Sequence, residues 1–264
     1  MSIKIKKIIK KKNKTKIVCL TAYSKIFAKI LDTYCDIILV GDSMANVLYG
    51  EKNTHKIKLR NIIDHSLSVR RGIKKALLVV DMPKGTYSSS NIALENANMI
   101  VKKTNCDAVK LENYKNNSKT IKYLVDKKIP VMGHIGYTPQ FKKKFRTEGQ
   151  TKREIENLLK DAKLIEKAGA FSIVLECLTP SAAKYITSNL KIPTIGIGSS
   201  KYCDGQILVT DDMLGLSGFY PKFVKKYASI DRVIEKAVKK YTREVKLKKF
   251  PTSKNYLNGT KNRK

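Results

Sequence analysis

Six short apolar runs follow one another along this chain. Each closes on a group that could hold a cation, move a proton or let a ligand approach the backbone. They end in Gly41-Asp42-Ser43, Asp81-Met82-Pro83, Lys110 with Glu112, Gly133-His134, Glu176, and Gly196-Ile197-Gly198. Asp42, Asp81 and Glu112 are hard oxygen donors of the kind that suits Mg2+, which keeps waters and accepts substrate oxygens. Carboxylates gathered in one place repel one another and are costly to hold without a cation. Each residue taken alone has a plainer reading. An Asp after a strand caps the next helix, His134 could be a satisfied structural histidine, and Lys110 half of an ion pair. Gly196 and Gly198 could simply permit a tight turn. The succession of such ends argues for a site.

Groups at strand ends meet only if a fold gathers those ends on one rim. Candidate strands are Ile17–Thr21, Ile37–Gly41, Ala76–Val80, Ala108–Leu111, Pro130–Gly133, Phe171–Leu175, Thr194–Ile197 and Gln206–Val209. Amphipathic helical patterns lie between them. Glu154–Ala168 is the clearest, with Ile155, Leu158, Leu159, Ala162, Ile165 and Ala168 on one stripe and Gly169 as its stop. Asn61–Lys74 and Asn91–Thr104 are similar. Strands alternating with helices imply βαβ units and a parallel sheet, and eight of them suggest a closed (β/α)8 TIM barrel. Such a barrel needs about 250 residues, and the chain has 264. The reading is a single α/β catalytic domain over 1–245 with a basic, disordered tail over 246–264. The polar segment Pro139–Lys152 is expected to be a loop over the barrel mouth.

Composition excludes several classes. No run approaches the roughly 18 apolar residues of a membrane span, and the lysine-studded start lacks the features of a secretory signal. Cys19, Cys35, Cys106, Cys177 and Cys203 are odd in number and show no CxxC spacing. That pattern suits free thiols in a reducing, cytoplasmic setting. The net charge of +32 comes from 46 Lys and only 8 Arg. Base-reading proteins favour Arg, so a solvated lysine surface, its field drawing in an acidic small molecule, is preferred to nucleic-acid binding. The basic termini carry no motif and are expected to be dispensable.

Several segments also resemble a known family. GDSMANVLYG (Gly41–Gly50), DMPKGTY (Asp81–Tyr87), AVKLE (Ala108–Glu112), VMGHIGYTPQ (Val131–Gln140), AGAFSIVLE (Ala168–Glu176), IPTIGIGSSKYCDGQILV (Ile192–Val209) and PKFVKKY (Pro221–Tyr227) are similar to those of ketopantoate hydroxymethyltransferase. The resemblance spans residues 21–227. It implies a (β/α)8 barrel assembled as a homodecamer. The implied reaction moves a one-carbon unit from 5,10-methylenetetrahydrofolate to 3-methyl-2-oxobutanoate. It gives 2-dehydropantoate, on the route to pantothenate and coenzyme A, through a Mg-stabilised enolate. Carried over by motif, Asp42 and Asp81 bind one Mg2+ per subunit and Glu112 completes its site. Ser43 and Lys110, with Asp42 and Asp81, hold the 2-oxo acid, and Glu176 is the proton acceptor. His134 and Gly198 are accessory candidates. The sequence departs from the family pattern at Ala45, Asn46, Lys84, Asn113 and Tyr114, beside the expected site. Two rival readings stand next to this one. A carbon–carbon lyase of the phosphoenolpyruvate-related barrels would share the metal and enolate but not the folate. A basic nucleic-acid-binding barrel would leave the carboxylates unexplained.

Overall fold

The computed structural model describes residues 2–114, 117–142, 144–218 and 220–256. Eight parallel strands close in sequence order into a barrel, β1 pairing with both β2 and β8. The strands are β1 Ile17–Thr21, β2 Ile37–Val40, β3 Leu77–Asp81, β4 Ala108–Lys110, β5 Val131–Gly136, β6 Ser172–Glu176, β7 Thr194–Ile197 and β8 Gly205–Leu208. The helices in chain order are α1 Ile3–Lys10, α2 Lys25–Leu31, α3 Met44–Val47, α4 Leu59–Arg70 and α5 Ser90–Thr104. They continue with α6 Ser118–Asp126, α7 Lys152–Lys167, α8 Pro180–Ser188, α9 Thr210–Leu214 and α10 Ile230–Lys246. The expected TIM barrel and all eight expected strands are present, with ends shifted by a residue or so except at β5.

That exception matters for the site. β5 runs three residues past Gly133, so His134 stands inside a strand rather than after one. Gly136 ends it at φ +100°, and a Cβ there would lie 2.1 Å from the carbonyl oxygen of Glu176, its register partner. Only glycine lets the ends of β5 and β6 come so close.

Side chains alternate between the two faces of each strand, and the buried residues divide accordingly. One cluster lies between strands and helices, where α7 inserts Ala162 and Ile165 and α5 inserts Ala93, Ala97 and Ile100. The second fills the barrel lumen with Ile37 and Leu39, Leu77 and Val79, Ala108, Met132 and Val174. Local signals set the helix limits. Thr151 caps α7 by accepting from the Glu154 amide, Ser89 caps α5 by accepting from Ile92, and Gly169 follows α7 in the left-handed region.

The basic N-terminus is only in part the solvated surface expected from its composition: Lys6, Lys7, Lys10, Lys14 and Lys16 are exposed, but the segment is also anchored to the barrel. α1 buries Ile5 and Ile8 in the lumen cluster. Lysines in and just after the helix tie it down: Lys12 to Asp204 at 2.8 Å, Lys11 to Asp36 at 2.6 Å and Lys4 to the Ala76 carbonyl at 2.8 Å. The partners Asp36, Ala76 and Asp204 each precede the first residue of a strand, so α1 belongs to the barrel end opposite the C-terminal ends of the strands. The segment after Pro139 is a loop as expected, with a single bridge from Glu148 to Leu178; Lys143 lies outside the described residues. Helix α10 crosses the expected tail boundary and buries none of its residues. Residues 257–264 of the expected disordered tail are outside the described residues.

Candidate active site

The inward period of two carries straight on from the lumen core into the acidic groups. On β3, Leu77 and Val79 lead to Asp81. On β4, Ala108 leads to Lys110 and then Glu112. On β5, Met132 leads to His134, and on β6, Val174 leads to Glu176. The apolar layers seat these polar side chains on a rigid floor. Asp42, Ser43, Asp81, Lys110, Glu112, His134 and Glu176 all line one cavity of about 980 Å³. It lies at the C-terminal rim, where barrel enzymes place their catalytic groups.

Lys110 and Asp81 form the centre of the site. Lys110 Nζ donates to Asp81 Oδ1 at 2.6 Å, with both side chains buried. The other Asp81 oxygen accepts from the Asp42 amide at 3.0 Å. Burial works against the Lys110 charge, but Asp81, then Asp42 and Glu112, outweigh it and hold the ammonium well above its usual range. Burial, and then Asp81, push Asp42 up to about 7. Burial, and then Asp42, raise Glu112 well above an ordinary carboxylate.

Glu176 faces the cavity with its side chain 18% exposed, and burial pushes its carboxyl up to about 8. His134 sits between the acids, its Nε2 3.2 Å from Glu176 Oε2 and its Nδ1 3.7 Å from Glu112 Oε1. Neither contact is aligned as a hydrogen bond, and both ring nitrogens and Glu112 Oε1 are buried without a hydrogen-bond partner. Burial, and then Lys110, hold the imidazole neutral. Ser43 is oriented by Tyr23, their oxygens 2.8 Å apart.

Seven of the expected residues therefore converge, and Gly198 does not join them. Gly198 has φ +57°, and a Cβ would sit 2.7 Å from the Phe223 ring, so this glycine admits Phe223 to the cavity wall. Among the described residues, no three His, Cys, Asp or Glu side chains close on a single point as a metal cage. An arrangement of one or two carboxylates completed by water and substrate oxygens is the usual one for Mg2+.

Two residues inside the quoted motifs carried no role in the sequence reading. Gln140 donates from Nε2 to Asp42 Oδ2 at 2.9 Å and from its backbone to Glu112 Oε2 at 3.1 Å, and Tyr87 donates to its side-chain oxygen at 2.5 Å. Of the departures from the family pattern, Asn46 lines the cavity, while Tyr114 stacks on Phe141 with ring centroids 4.3 Å apart.

Barrels of this geometry serve many chemistries, so the sequence decides among them. The family profile of ketopantoate hydroxymethyltransferase matches residues 2–253. The chain belongs to the ketopantoate hydroxymethyltransferase family. The match runs well beyond 21–227 and takes in α1, in keeping with that helix's place in the core. The 3-methyl-2-oxobutanoate hydroxymethyltransferase of Pelagibacter ubique (strain HTCC1062) is 53% identical over 254 residues, 96% of this chain and 99% of that protein. That of Anaplasma marginale (strain St. Maries) is 46% identical over 254 residues, 95% of this chain and 92% of that protein. Among solved structures, 2,3-dimethylmalate lyase, a PEP mutase/isocitrate lyase superfamily member, is similar with a TM-score of 0.63 at 12% identity, covering 97% of this chain and 89% of that one. A phosphonopyruvate hydrolase complex with oxalate and Mg++ has a TM-score of 0.60 at 12% identity, covering 93% and 88%. These two likenesses are of fold. The chain is an enzyme, a 3-methyl-2-oxobutanoate hydroxymethyltransferase, and the lyase alternative falls to that assignment.

Proposed function

We propose that the enzyme transfers its one-carbon unit from 5,10-methylenetetrahydrofolate to 3-methyl-2-oxobutanoate, giving 2-dehydropantoate, with Mg2+ held by Asp42 and Asp81 and the site completed by Glu112. The observation that carries this reading is the grouping of Asp42, Asp81, Lys110 and Glu176 around one cavity in a member of this family. The residues fit a divalent cation. Glu112 Oε1 is buried with no hydrogen-bond partner, and burial with mutual repulsion raises both Asp42 and Glu112. A cation relieves both conditions. When bound, Mg2+ supplies a Lewis acid that draws charge from the keto oxygen of a 2-oxo acid and so acidifies its C3 proton. The Mg++ and oxalate of the phosphonopyruvate hydrolase complex belong to that protein, and they lend this reading support at the level of fold.

The remaining work falls to this chain's side chains. Lys110 places a fixed positive charge in the same cavity, against the carboxylate and keto oxygens of the substrate. Ser43, oriented by Tyr23, donates to the same acid. Glu176 takes the C3 proton on its carboxylate, and the burial that pushes this carboxyl up to about 8 makes that carboxylate a stronger base. Neutral His134 packs between Glu112 and Glu176, its Nε2 3.2 Å from Glu176 Oε2.

The +32 charge supports attraction of these acidic substrates, and the carboxylates of the cavity speak against nucleic acid as its ligand. No helix among the described residues is long and apolar enough to cross a membrane, and all five cysteines are free and buried, which supports the cytoplasmic reading. The homodecamer implied by the family draws support from α10, whose Val233, Ile234, Val238, Tyr241 and Val245 form an exposed apolar stripe at helical spacing. Val18 on β1 is also 46% exposed. A second copy of the chain would cover such surfaces.

The test is direct. Purified protein is incubated with 3-methyl-2-oxobutanoate, 5,10-methylenetetrahydrofolate and Mg2+. Formation of 2-dehydropantoate that stops on omitting the folate or on chelation supports the reading. Product formation unaffected by chelation sinks the metal, and product formation without folate sinks the folate as one-carbon donor.

A further inference from the structure

We infer that Gln140, locked in one orientation by Tyr87, is a positioning residue that sets Asp42 and Glu112 for the cation. This rests on the Mg2+ reading above and names a residue outside its assigned ligands.

Gln140 lies in the loop after β5 and is 1% exposed. Its backbone N–H donates to Glu112 Oε2 at 3.1 Å. Its Nε2 donates to Asp42 Oδ2 at 2.9 Å and to the Met82 carbonyl at 3.1 Å, and its Oε1 accepts from Tyr87 Oη at 2.5 Å. Both amide hydrogens and the amide oxygen are thus engaged. Reversing the carboxamide would press its oxygen against the Asp42 carboxylate and the Met82 carbonyl, so the orientation is determined. Burial, and then the charge of Glu112, hold the Tyr87 hydroxyl protonated, which keeps it the donor. Tyr87 is itself buried and meets Phe141 edge-on at 6.1 Å.

The need for such a clamp is uneven among the acids. Asp81 has Lys110 on one oxygen and the Asp42 amide on the other. Lys110 makes its hydrogen bond to Asp81, and its hold on Asp42 and Glu112 is only through space. Gln140 touches both of those acids, one through its side chain and one through its backbone. The gripped oxygen of Glu112 leaves Oε1 without a partner. Groups behind metal ligands that fix ligand orientation are worth about 10- to 100-fold in metal affinity.

The plainer alternative is that Gln140 only packs the loop. Both readings allow a loss of stability, but only positioning couples Gln140 to Tyr87 in metal affinity. The experiment titrates Mg2+ calorimetrically into the full-length wild type, Gln140→Met, Tyr87→Phe and the double variant, with thermal melts in chelator confirming folding. Mg2+ affinity should fall about 10- to 100-fold in Gln140→Met. It should fall about 2- to 10-fold in Tyr87→Phe, the loss of one neutral hydrogen bond. The double variant should bind no worse than Gln140→Met. Wild-type affinity in folded Gln140→Met, or additive losses in the double, would overturn the inference. Should Gln140→Met fail to fold, Tyr87→Phe still decides, since unchanged Mg2+ affinity there removes the orienting role. A wild type that itself fails to bind Mg2+ overturns the metal reading, and the inference with it.

Discussion

Glu176→Gln separates catalytic use from structural strain. Burial raises the Glu176 carboxyl from 4.5 to about 8. A folded-state pKa above the unfolded one means the folded protein holds its proton more tightly. The stability this group contributes is therefore fully present below about pH 4.5 and is lost as pH rises through about 8. At about 1.4 kcal/mol per unit, the whole shift sets an upper bound of roughly 5 kcal/mol. Water reaches the side chain through the cavity, so about 2 kcal/mol is the working figure. For a chain of this size that amounts to roughly 4–8 °C in Tm. Gln keeps the shape and never ionises. In chelator, Glu176→Gln should melt with the wild type at pH 5 and about 4–8 °C above it at pH 8.5. The same variant should still bind Mg2+ and 3-methyl-2-oxobutanoate. Its exchange of the C3 proton with deuterated solvent, followed by NMR without folate, should fall about 10²–10⁴-fold. A stability difference independent of pH would show that the carboxylate is not strained by burial. Exchange at the wild-type rate would remove Glu176 from the mechanism and pass the role to His134.

Other consequences can be checked in the same preparations. Asp81→Asn leaves the Lys110 ammonium without its 2.6 Å partner. It should cost about 3 kcal/mol, the low end for breaking a buried pair because Asp42 and Glu112 remain nearby, and weaken Mg2+ binding at least about tenfold by calorimetry. Ile5→Ala, in the lumen plug, should cost about 2–5 kcal/mol in denaturant melts. Deleting the chain beyond Lys249 should leave turnover near normal, so the two basic termini part company. Gly136→Ala forces a Cβ to within 2.1 Å of the Glu176 carbonyl. It should lower both kcat and Mg2+ affinity, because the end of β5 carries the loop in which Gln140 holds Asp42 and Glu112.

Much of this molecule can be read along the chain because the signals are local. Strand and helix periods, the stop at Gly169 and the polar group closing each apolar run are all contained in a few consecutive residues. They suffice for a barrel with Asp42, Asp81, Lys110, Glu112 and Glu176 on its rim, since closure of a parallel barrel gathers strand ends whatever the details. Tertiary structure alone decided the rest. Ile5 and Ile8 are scattered among lysines, and only the open end of the lumen makes them core. His134 looked like a strand-end residue until β5 extended past it to meet β6. Gln140 and Asp42 stand 98 residues apart, and no spacing along the chain announces their 2.9 Å contact. The raised acidities of Asp42, Glu112 and Glu176 follow from burial and from charges on other strands. Local pattern determines which face a side chain takes, whereas the partner and the dielectric it meets are set by strands distant in sequence.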